Sequence, residues 1–551
     1  MSNSPADHLT RPFDSSLSRR RLLETTGQGT IAALSAAFGA SPVGRERPGV
    51  VAAAAQQTPY TRPNVHTLGP QGLESFKEGV RKMKALPPSN PSSWSYQANI
   101  HGTQMAQPWS PLWQTCEHHT DFFWPWHRMY LYWFEQIVRE QSGDPDFALP
   151  YWDYSDPTRQ YLPFAFRDLQ SPLYDSKRTG FANLRDETSP RIPPQSFFDY
   201  CTALRQPAYG DSINPGAHAR FESDIHDPIH FVVGGGTLVR DPDTGQVVDI
   251  LNPGTMTLVE TSAQDPVFWL HHANLDRLWA SWRAFSPGGL VHADPVDAGW
   301  RNRTYEFFDE AGAIISPPWV VSSILETTAL GYVYESLADN AWYDANCAGR
   351  GLLPQRGATA ERGTPVTTNE VGRTEPDEGV AIGLDPVNAV VASSLGDDAE
   401  ALVPVASDSL VMTLEGISAM QVPAVAVEVY VNLPQGETPD FRSDAYVGSI
   451  GLFTLQTGDK ETHRHANTAS QQVFDISLAV AASIERGDWT GEINVTFVPI
   501  GFTDLSDLQP ADGTPVAEFA SPVPEEASPV AATPAAAMPW LTIESVVVTA
   551  Q

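Results

Sequence analysis

Apolar residues recur at three- and four-residue spacing in three segments of the amino-terminal part of the chain, a pattern typical of amphipathic helices. The pattern predicts one helix over residues 72–85, a second that begins at Pro125 and continues through Val138, and a third over residues 266–283. Proline suits the first turn of a helix, where its missing N–H has no partner to lose. Thirteen of the 15 tryptophans lie between positions 94 and 342. This region is therefore predicted to be mainly α, with one aromatic core and long connecting loops.

The period of the pattern changes to two over residues 409–502. Residues 425–431 and 492–498 alternate apolar and polar side chains and are rich in β-branched residues, which is typical of strands. We expect a small, sandwich-like, all-β carboxy-terminal domain of six or seven strands. Residues 346–408 are rich in Asp, Glu, Gly, Thr and Pro and are predicted to be an acidic flexible linker. Residues 503–551 are rich in Pro, Ala and Glu and are predicted to be a flexible tail.

The amino end has the order of an export signal. Three arginines at 19–21 precede a mildly apolar stretch at 30–40 and a small-residue site at 53–55. Paired arginines indicate the twin-arginine route, which carries folded proteins to the periplasm or the exterior. The alternative is a disordered basic tail. With export, residues 1–55 are removed and the mature protein begins near Gln56.

Length and charge narrow the class of protein. The chain has 551 residues, more than one ordinary domain holds, and we assign its first folded domain to residues 56–345. It has 34 basic and 66 acidic residues, a net charge of -32, so its surface repels phosphate. This argues against nucleic acid and anionic membranes as partners. Three cysteines cannot form a disulfide framework, and no apolar run is long enough for a membrane span.

Histidines fall into two groups within the aromatic region. In one of them, His226 and His230 are four residues apart, so both rings leave the same face of a helix. Pro228 between them is tolerated only in a first turn, so this helix is predicted to begin near His226. The alternative is a histidine pair on a solvated helix, which the flanking Ile225 and Ile229 disfavour.

The helix over residues 266–283 could supply a third ring to this group through His272. Its neighbour His271 points about 100° away on an α-helix and is not expected to share the same position. Asp276 lies one turn beyond His272, where a carboxylate could orient a ligand or stabilise the helix.

The other group consists of His101, His118 and His127. His118 and His127 are nine residues apart and would face opposite sides of a continuous helix. A helix that starts at Pro125 leaves His118 on the preceding loop, where both rings could reach one metal. Core histidines bonded to the backbone are the alternative for this group.

Groups of three imidazoles suit copper, zinc or iron. Two-zinc hydrolases commonly include carboxylate ligands, and apart from Glu222 neither group has an Asp or Glu at an obvious ligand spacing. Sites made only of imidazoles favour copper as the bound metal. The alternative is that the site binds zinc and the protein is a zinc hydrolase.

Four motifs resemble the copper motifs of tyrosinases and polyphenol oxidases. They are CEH at 116–118, FFWPWHRMY at 122–130, ESDIHDPIH at 222–230 and DPVFWLHHANLDRLW at 265–279. The resemblance extends from about residue 62 to the tyrosines at 332 and 334. The predicted β domain over residues 409–502 more loosely resembles the carboxy-terminal domain of plant polyphenol oxidases.

This resemblance implies a four-helix bundle that holds two copper ions. The implied ligands are His101, His118 and His127 for one ion and His226, His230 and His272 for the other, with His271 as a non-ligand neighbour. It also implies a thioether between Cys116 and the ring of His118; a free buried thiol is the alternative. Cys201 and Cys347 then remain, and an exported protein could join them.

The implied activity is oxidation of o-diphenols to o-quinones by molecular oxygen, with hydroxylation of monophenols as a further possibility. Glu222 is expected to orient a water molecule as a base for the incoming phenol, or else to be a plain helix-start carboxylate. Asp227 could accept a proton or orient a water. Phe231 is expected to line the substrate entrance, with simple core packing as the alternative.

The carboxy-terminal domain implies latency, in which it covers the entrance until a protease cuts the linker. A permanent stabilising module is the alternative. The same site could belong to an o-aminophenol oxidase, or to an oxygen-binding copper protein that has no catalytic activity. The native phenol and the oligomeric state are not predicted.

Overall fold

The computed structural model describes residues 59–103, 110, 112–113, 115–189, 194–210, 216–235, 237–240, 247–251, 254–285, 292–347, 369–375, 379–383, 385–395, 410–419, 426–453, 471–500 and 541–550. The predicted export signal over residues 1–55 lies outside the described residues.

The amino-terminal domain is helical. Its α-helices are α1 Pro70–Ala85, α2 Trp94–His101, α3 Phe123–Ser142, α4 Phe164–Arg167, α5 Gly180–Leu184, α6 Cys201–Leu204, α7 Ala217–Phe221, α8 Asp227–Gly234, α9 Val259–Ser262, α10 Pro266–Ala284, α11 Ala298–Arg301 and α12 Asn340–Asn346. Short 3₁₀ turns occupy Gln195–Phe198, Thr255–Thr257 and Val321–Ser323. The helices predicted over 72–85 and 266–283 are confirmed as α1 and α10. The helix predicted to start at Pro125 is α3, which begins two residues earlier and holds Pro125 in its first turn.

The α-helix predicted to begin near His226 is α8, which begins at Asp227 and holds Pro228 in its first turn, but it does not start from a loop. The chain is already helical from Ala217, and a π-helical turn over Glu222–His226 joins α7 to α8. In this turn the N–H of Asp227 donates to the carbonyl of Glu222, five residues back. The wider turn changes the hydrogen-bond register just before Pro228, which has no N–H to donate. The helix can therefore continue through a proline that a regular α-helix would reject.

Strands of the amino-terminal domain form three two-stranded ladders around the helices. The strands are β1 Tyr60–Arg62, β2 Thr237–Arg240, β3 Val247–Leu251, β4 Thr304–Tyr305, β5 Trp319–Val320 and β6 Tyr332–Tyr334. β1 pairs in parallel with β6, which joins the two ends of this domain; β2 pairs with β3, and β4 with β5.

The carboxy-terminal domain is β-rich. Its described strands are β7 Asn369–Arg373, β8 Val380–Ile382, β9 Val387–Ser393, β10 Leu410–Glu415, β11 Ser418–Ala419, β12 Ala426–Val431, β13 Tyr446–Ile450, β14 Gln471–Asp475, β15 Glu492–Ile500, β16 Leu541–Ile543 and β17 Ser545–Ala550, and its described residues include the helix α13 Ser477–Arg486. Eight strands form an antiparallel sheet in the order β13-β12-β15-β9-β7-β17-β10-β14, and β11-β16-β8 form a second one. A Cβ built on Gly448 of β13 would lie 3.3 Å from Phe474 of β14, so the two ends of the large sheet nearly meet.

Two of the predicted flexible segments carry strands of this domain. β7, β8 and β9 lie within the predicted linker over 346–408, and β16 and β17 lie within the predicted tail over 503–551. Both predictions are wrong for these residues. The reason is that β7 pairs with β17, so the two segments order each other across more than 170 residues. The predicted fold class, a mainly α domain followed by a small β domain, is confirmed.

No helix in the described ranges is both long and apolar enough to cross a lipid bilayer.

Candidate metal centre

The six histidines predicted as ligands come together in the core of the helical domain. His101 ends α2, His118 lies on the loop before α3 and His127 lies in α3. His226 closes the π turn and His230 follows it in α8. His272 lies in α10, and every one of these side chains is at most 3% exposed.

The first group contains His101, His118, His127 and Cys116. One nitrogen or sulfur atom from each lies within 4.8 Å of the others, a spacing that can hold a metal ion. Nδ1 of His101 lies 2.9 Å from the carbonyl of Val259, and Nδ1 of His127 lies 2.8 Å from the carbonyl of Phe123. A carbonyl only accepts hydrogen bonds, so Nδ1 of these two rings carries the proton and Nε2 keeps its lone pair.

The second group contains His226, His230, His271 and His272, again within 4.8 Å of one another. Nδ1 of His230 donates to the carbonyl of Met256 at 2.8 Å, and Nδ1 of His226 lies 2.7 Å from Oδ1 of Asp227. Their two Nε2 atoms are only 3.0 Å apart and face the same space. Two imidazole nitrogens that face one space fit a bound metal ion.

The two groups adjoin. The rings of His127 and His272 stack at 4.3 Å between centroids, and those of His118 and His226 lie 5.4 Å apart. Neither ring nitrogen of His272 has a hydrogen-bond partner among the described residues. Two metal ions held by these groups would therefore be close neighbours.

Burial sets the protonation state of the second group. Removal from water, followed by the repulsion of neighbouring histidines, holds the pKa of His226, His230 and His272 well below its ordinary value. The rings are neutral imidazoles near neutral pH, which is the form that binds metals.

Cys116 lies against the rings of the first group. Its Sγ is 3.5 Å from Nδ1 and 3.9 Å from Nε2 of His118, and 3.5 Å from Nε2 of His127. The ring carbon between the two nitrogens of His118 is Cε1, so the sulfur lies beside that side of the ring. Burial raises the pKa of the Cys116 thiol well above its usual range, which disfavours a thiolate metal ligand.

His271 lies closer to the site than its helical rotation suggested. Its ring stacks on His226 at 5.5 Å, and its Nδ1 is 3.1 Å from the hydroxyl of Tyr154. Burial lowers the pKa of His271 to about 3. A neutral ring bonded on one side to a tyrosine is consistent with its predicted position beside the ligands.

Asp276 of α10 bonds to residues of α3, β1 and β6. Among the described hydrogen bonds, none joins it to His272. It accepts hydrogen bonds from Arg128, from Arg62 at 3.2 Å, and from Tyr332 and Tyr334. The arginine charges hold the pKa of Asp276 below its usual value in spite of burial. This carboxylate thus ties α10 to α3 and β6, next to the residues that follow His127 and His272.

Glu222 is fully buried at the start of the π turn. Its Oε1 accepts the backbone N–H of His119 at 2.7 Å, and its Oε2 has no hydrogen-bond partner among the described residues. Burial, reinforced by the nearby Asp227, raises its pKa well above the usual value for a carboxyl. The contact with His119, which the sequence did not indicate, fixes this carboxyl beside the first group.

Asp227 connects a histidine to the carboxy-terminal domain. Oδ1 faces Nδ1 of His226, whereas Oδ2 accepts the backbone N–H of Phe453 at 3.4 Å and lies 3.5 Å from Nε2 of His119. Burial raises the pKa of Asp227. The contact with Nδ1 fixes the orientation of the His226 ring.

Phe453 is the functional feature that sequence reasoning missed. Its ring stacks on His230 at 3.9 Å and 23°, and lies 5.4 Å from His226 and 5.8 Å from His118. Phe231, predicted at the substrate entrance, is fully buried and meets Phe453 edge-on at 6.5 Å. An aromatic ring from the β domain therefore lies directly over the histidine cluster.

Around Phe453, the backbone of the β domain lies close to the helical residues that surround the π turn. Asp224 accepts the N–H of Ser449 at 2.8 Å, and the Arg220 guanidinium lies 4.4 Å above the ring of Phe474. A Cβ on Gly451 would collide with Oδ2 of Asp227, so only glycine fits there. The β domain is thus packed on the same π turn that carries His226.

A disulfide joins Cys201 and Cys347, whose Cα atoms are 5.6 Å apart. It links α6 to the residue after α12 and leaves Cys116 as the free cysteine.

Comparisons with known proteins agree with this architecture. Residues 91–191 and 170–285 match the family model of the common central domain of tyrosinase, and residues 369–504 match a domain of unknown function, DUF7868. Tyrosinase HcTyr1 of Hahella sp. (strain CCB-MM4) is 26% identical over 495 residues, which cover 82% of this chain and 97% of that protein. The chloroplastic polyphenol oxidase of Vitis vinifera is 30% identical over 310 residues. That match covers 50% of this chain and 47% of the plant protein, so the chain spans about half the length of this relative.

Among solved structures, a recombinantly expressed latent aurone synthase has a TM-score of 0.56 at 22% identity, covering 82% of this chain and 88% of that one. Latent apple tyrosinase has a TM-score of 0.55 at 23% identity, covering 81% and 95%. At these identities the likeness concerns the fold, a helical domain followed by a β domain. Residues 91–285 thus match the tyrosinase central domain in sequence, and the sequence relatives, tyrosinases and polyphenol oxidases, support that family for the chain.

Proposed function

We propose that this chain is a binuclear copper oxidase that uses O₂ to oxidise o-diphenols to o-quinones. The observation that carries the proposal is the pair of adjoining groups of buried histidines, in which Nδ1 of His226 and His230 is engaged and both Nε2 atoms face one space. We assign His101, His118 and His127 to one copper ion and His226, His230 and His272 to the other. The bound copper pair would pass electrons from the phenol to O₂. Two catechols are oxidised for each O₂, which leaves as two waters.

The protein positions the reactants around this site. Backbone carbonyls fix the rings of His101, His127 and His230, so each Nε2 is oriented before metal arrives. The aromatic core excludes water, and the flat face of His230 offers a surface on which a phenol ring can stack, as Phe453 does.

We further propose that Glu222 acts as the base for monophenols. Its raised pKa makes the carboxylate a better proton acceptor, and its Oε2 has no hydrogen-bond partner among the described residues. Through an ordered water it would remove the phenolic proton before hydroxylation.

Copper content and oxygen uptake test the main proposal. Copper-loaded protein, cleaved between Cys347 and Asn369, should hold two copper ions and consume O₂ when given catechol, with o-aminophenol assayed in parallel. His272→Asn should lose one copper and the activity. His292→Asn is the matched control, since this buried ring bonds the carbonyl of Trp282 outside both groups. Protein that binds two coppers yet consumes no O₂ with any phenol would contradict the proposal.

We also propose that the β domain keeps the enzyme latent. Phe453 occupies the position over His230 that a substrate ring would need, which supports steric exclusion. A protease that cuts between Cys347 and Asn369 would separate the domains without breaking a described strand. Activity of the intact and the cut chain, compared at equal copper content, tests this directly.

We also propose a covalent bond between two side chains of the first group. The thioether between Cys116 and His118 fits the position of Sγ beside the ring. Peptide mass spectrometry should find the joined peptides lighter by two hydrogens, and Cys116→Ser should abolish that change.

Export by the twin-arginine route fits the disulfide between Cys201 and Cys347, because disulfides persist in oxidising compartments. Replacing Arg19 and Arg20 with lysine should retain the protein inside the cell. Unchanged export of that variant would contradict this route.

A further inference from the structure

His119 has an unusual backbone conformation next to the histidine cluster. Its φ is 51°, and among the described residues other than glycine only Asn432 of the β domain shares a positive φ. This left-handed region crowds the Cβ atom, so it is uncommon outside glycine, although asparagine and histidine tolerate it better than most residues. His119 directly follows His118, which we assign to a copper ion. A strained conformation at this place points to a requirement of the site.

The conformation determines where the backbone N–H of His119 points. This N–H donates to Oε1 of Glu222 at 2.7 Å, and it is the hydrogen bond that the Glu222 carboxyl receives among the described residues. The angle φ describes rotation about the bond from this nitrogen to Cα. A negative φ would therefore turn the N–H away from the carboxyl, and a single backbone donor thus holds Glu222 in place.

The loop around this residue is fixed on both sides. Before it, Glu117 accepts the hydroxyl of Tyr305 at 2.9 Å. After it, the carbonyl of Asp121 accepts the hydroxyl of Tyr209 and Nε1 of Trp300, each at 2.9 Å. Because both sides are held, the loop cannot relax the strained residue by shifting its neighbours. The surrounding structure thus maintains the left-handed conformation.

The ring of His119 makes a different contact from its backbone. Nε2 lies 3.5 Å from Oδ2 of Asp227, and the side chain is 12% exposed. Asp227 in turn faces His226, so a role of the ring would act on that ligand, whereas the backbone acts on Glu222. Substitution can separate the two roles. Asparagine and glycine adopt a positive φ but lack the ring, whereas a β-branched valine strongly disfavours a positive φ.

We propose that His119 is a positioning residue, whose left-handed backbone holds Glu222 where it can act on a monophenol. This inference rests on the proposed function, in which Glu222 is the base for monophenols. Catechol oxidation does not use that base in the same proposal. His119 therefore sets the ratio of monophenol hydroxylation to catechol oxidation through the position of a carboxyl.

Kinetics of position-119 variants test this role in the full chain, loaded with copper and then cut between Cys347 and Asn369. His119→Val should lower kcat for a monophenol by at least about tenfold and leave kcat for catechol unchanged, since a general base contributes about 100-fold or more. His119→Asn and His119→Gly should stay close to wild type with both substrates. His119→Val combined with Glu222→Gln should lose no more than Glu222→Gln alone, because changes that act through one group are not additive.

Hydrogen exchange gives a readout that does not depend on activity. In the copper-free full chain, the backbone amide of His119 should exchange slowly in wild type, and the amide at this position should do the same in His119→Asn. In His119→Val it should exchange at least about tenfold faster, because the bond to the buried carboxyl is lost. The amide of Phe123, which bonds the carbonyl of Thr120, is the control for general loosening of the loop.

The outcomes distinguish this inference from the proposed function. A wild-type chain that binds no copper, or that forms no quinone from catechol, would overturn both. Monophenol hydroxylation that depends on Glu222 and is unchanged in His119→Val would overturn the positioning role alone. An equal loss with catechol in His119→Val would also overturn it, because the change would then act on the ligand His118. A loss in His119→Asn as large as that in His119→Val would overturn it in favour of the ring.

Discussion

Replacing Phe453 with alanine should activate the uncut enzyme. The ring is 1% exposed and lies between the β domain and the histidines, stacked on His230 at 3.9 Å. Removing it leaves the backbone N–H that binds Asp227 and empties the space over the metal site. The substitution therefore opens the site in molecules that stay docked and also weakens the docking of the domain.

The size of the effect follows from the burial of this ring. A buried phenylalanine replaced by alanine costs about 3 to 5 kcal/mol where all its contacts are lost. Since Phe453 packs mainly against residues of the other domain, most of this cost falls on docking. At about 3 kcal/mol the population of undocked molecules rises about 100-fold. Substrate can also enter docked molecules that lack the ring. Activity should therefore rise at least about 100-fold, or to the level of the cut enzyme if that is reached first.

Quinone formation by uncut wild type, uncut Phe453→Ala and cut wild type measures the effect at equal copper content. Phe497→Ala is the control, because Phe497 is fully buried in β15 and makes no ring contact with the described histidines. Phe453→Ala with the low activity of uncut wild type, alongside active cut enzyme, would refute the blocking role of the ring. Equal activation by Phe497→Ala would attribute the effect to a loosened domain.

Three further outcomes follow from the same structure. Gly451→Ala should raise the activity of the uncut enzyme in a catechol assay and leave the cut enzyme unchanged, because its Cβ would collide with Asp227. Glu222→Gln keeps an oxygen for the N–H bond but loses the base, so hydroxylation of a monophenol should fall about 100-fold; an equal loss with catechol would contradict that role. Replacing Cys201 and Cys347 with serine should lower the free energy of unfolding by about 5 kcal/mol in a denaturant titration, given the 146-residue separation; an unchanged midpoint would contradict this.

Much of the site could be predicted because its signals are local. The four-residue spacing of His226 and His230 indicated a shared helix face, and the motif around His127 placed it on α3. The π turn was missed because hydrogen-bond register is not visible in a residue pattern. Pro228 correctly indicated where α8 begins, but not that a π turn joins α8 to a preceding helix.

The strands within the predicted linker and tail were missed for a different reason. Residues Asn369–Arg373 of β7 are all at least partly exposed, so they show no apolar face. Their order comes from pairing with β17, far away in sequence. In β17 the run Val546, Val547 and Val548 is typical of a strand. The surrounding segment is rich in Pro and Ala, and its overall composition outweighed this short run.

The contact between Phe453 and the histidines was beyond sequence reasoning because it exists only once two domains dock. It also has two separable parts. The ring covers His230, while the backbone N–H of Phe453 binds Asp227, which orients His226. Cutting the linker and releasing the domain removes both parts, but Phe453→Ala removes only the ring. Both forms admit substrate, but only docked Phe453→Ala retains the hydrogen bond to Asp227. If the copper spectrum of the cut enzyme differs from that of Phe453→Ala, the β domain therefore affects a copper ligand as well as substrate access.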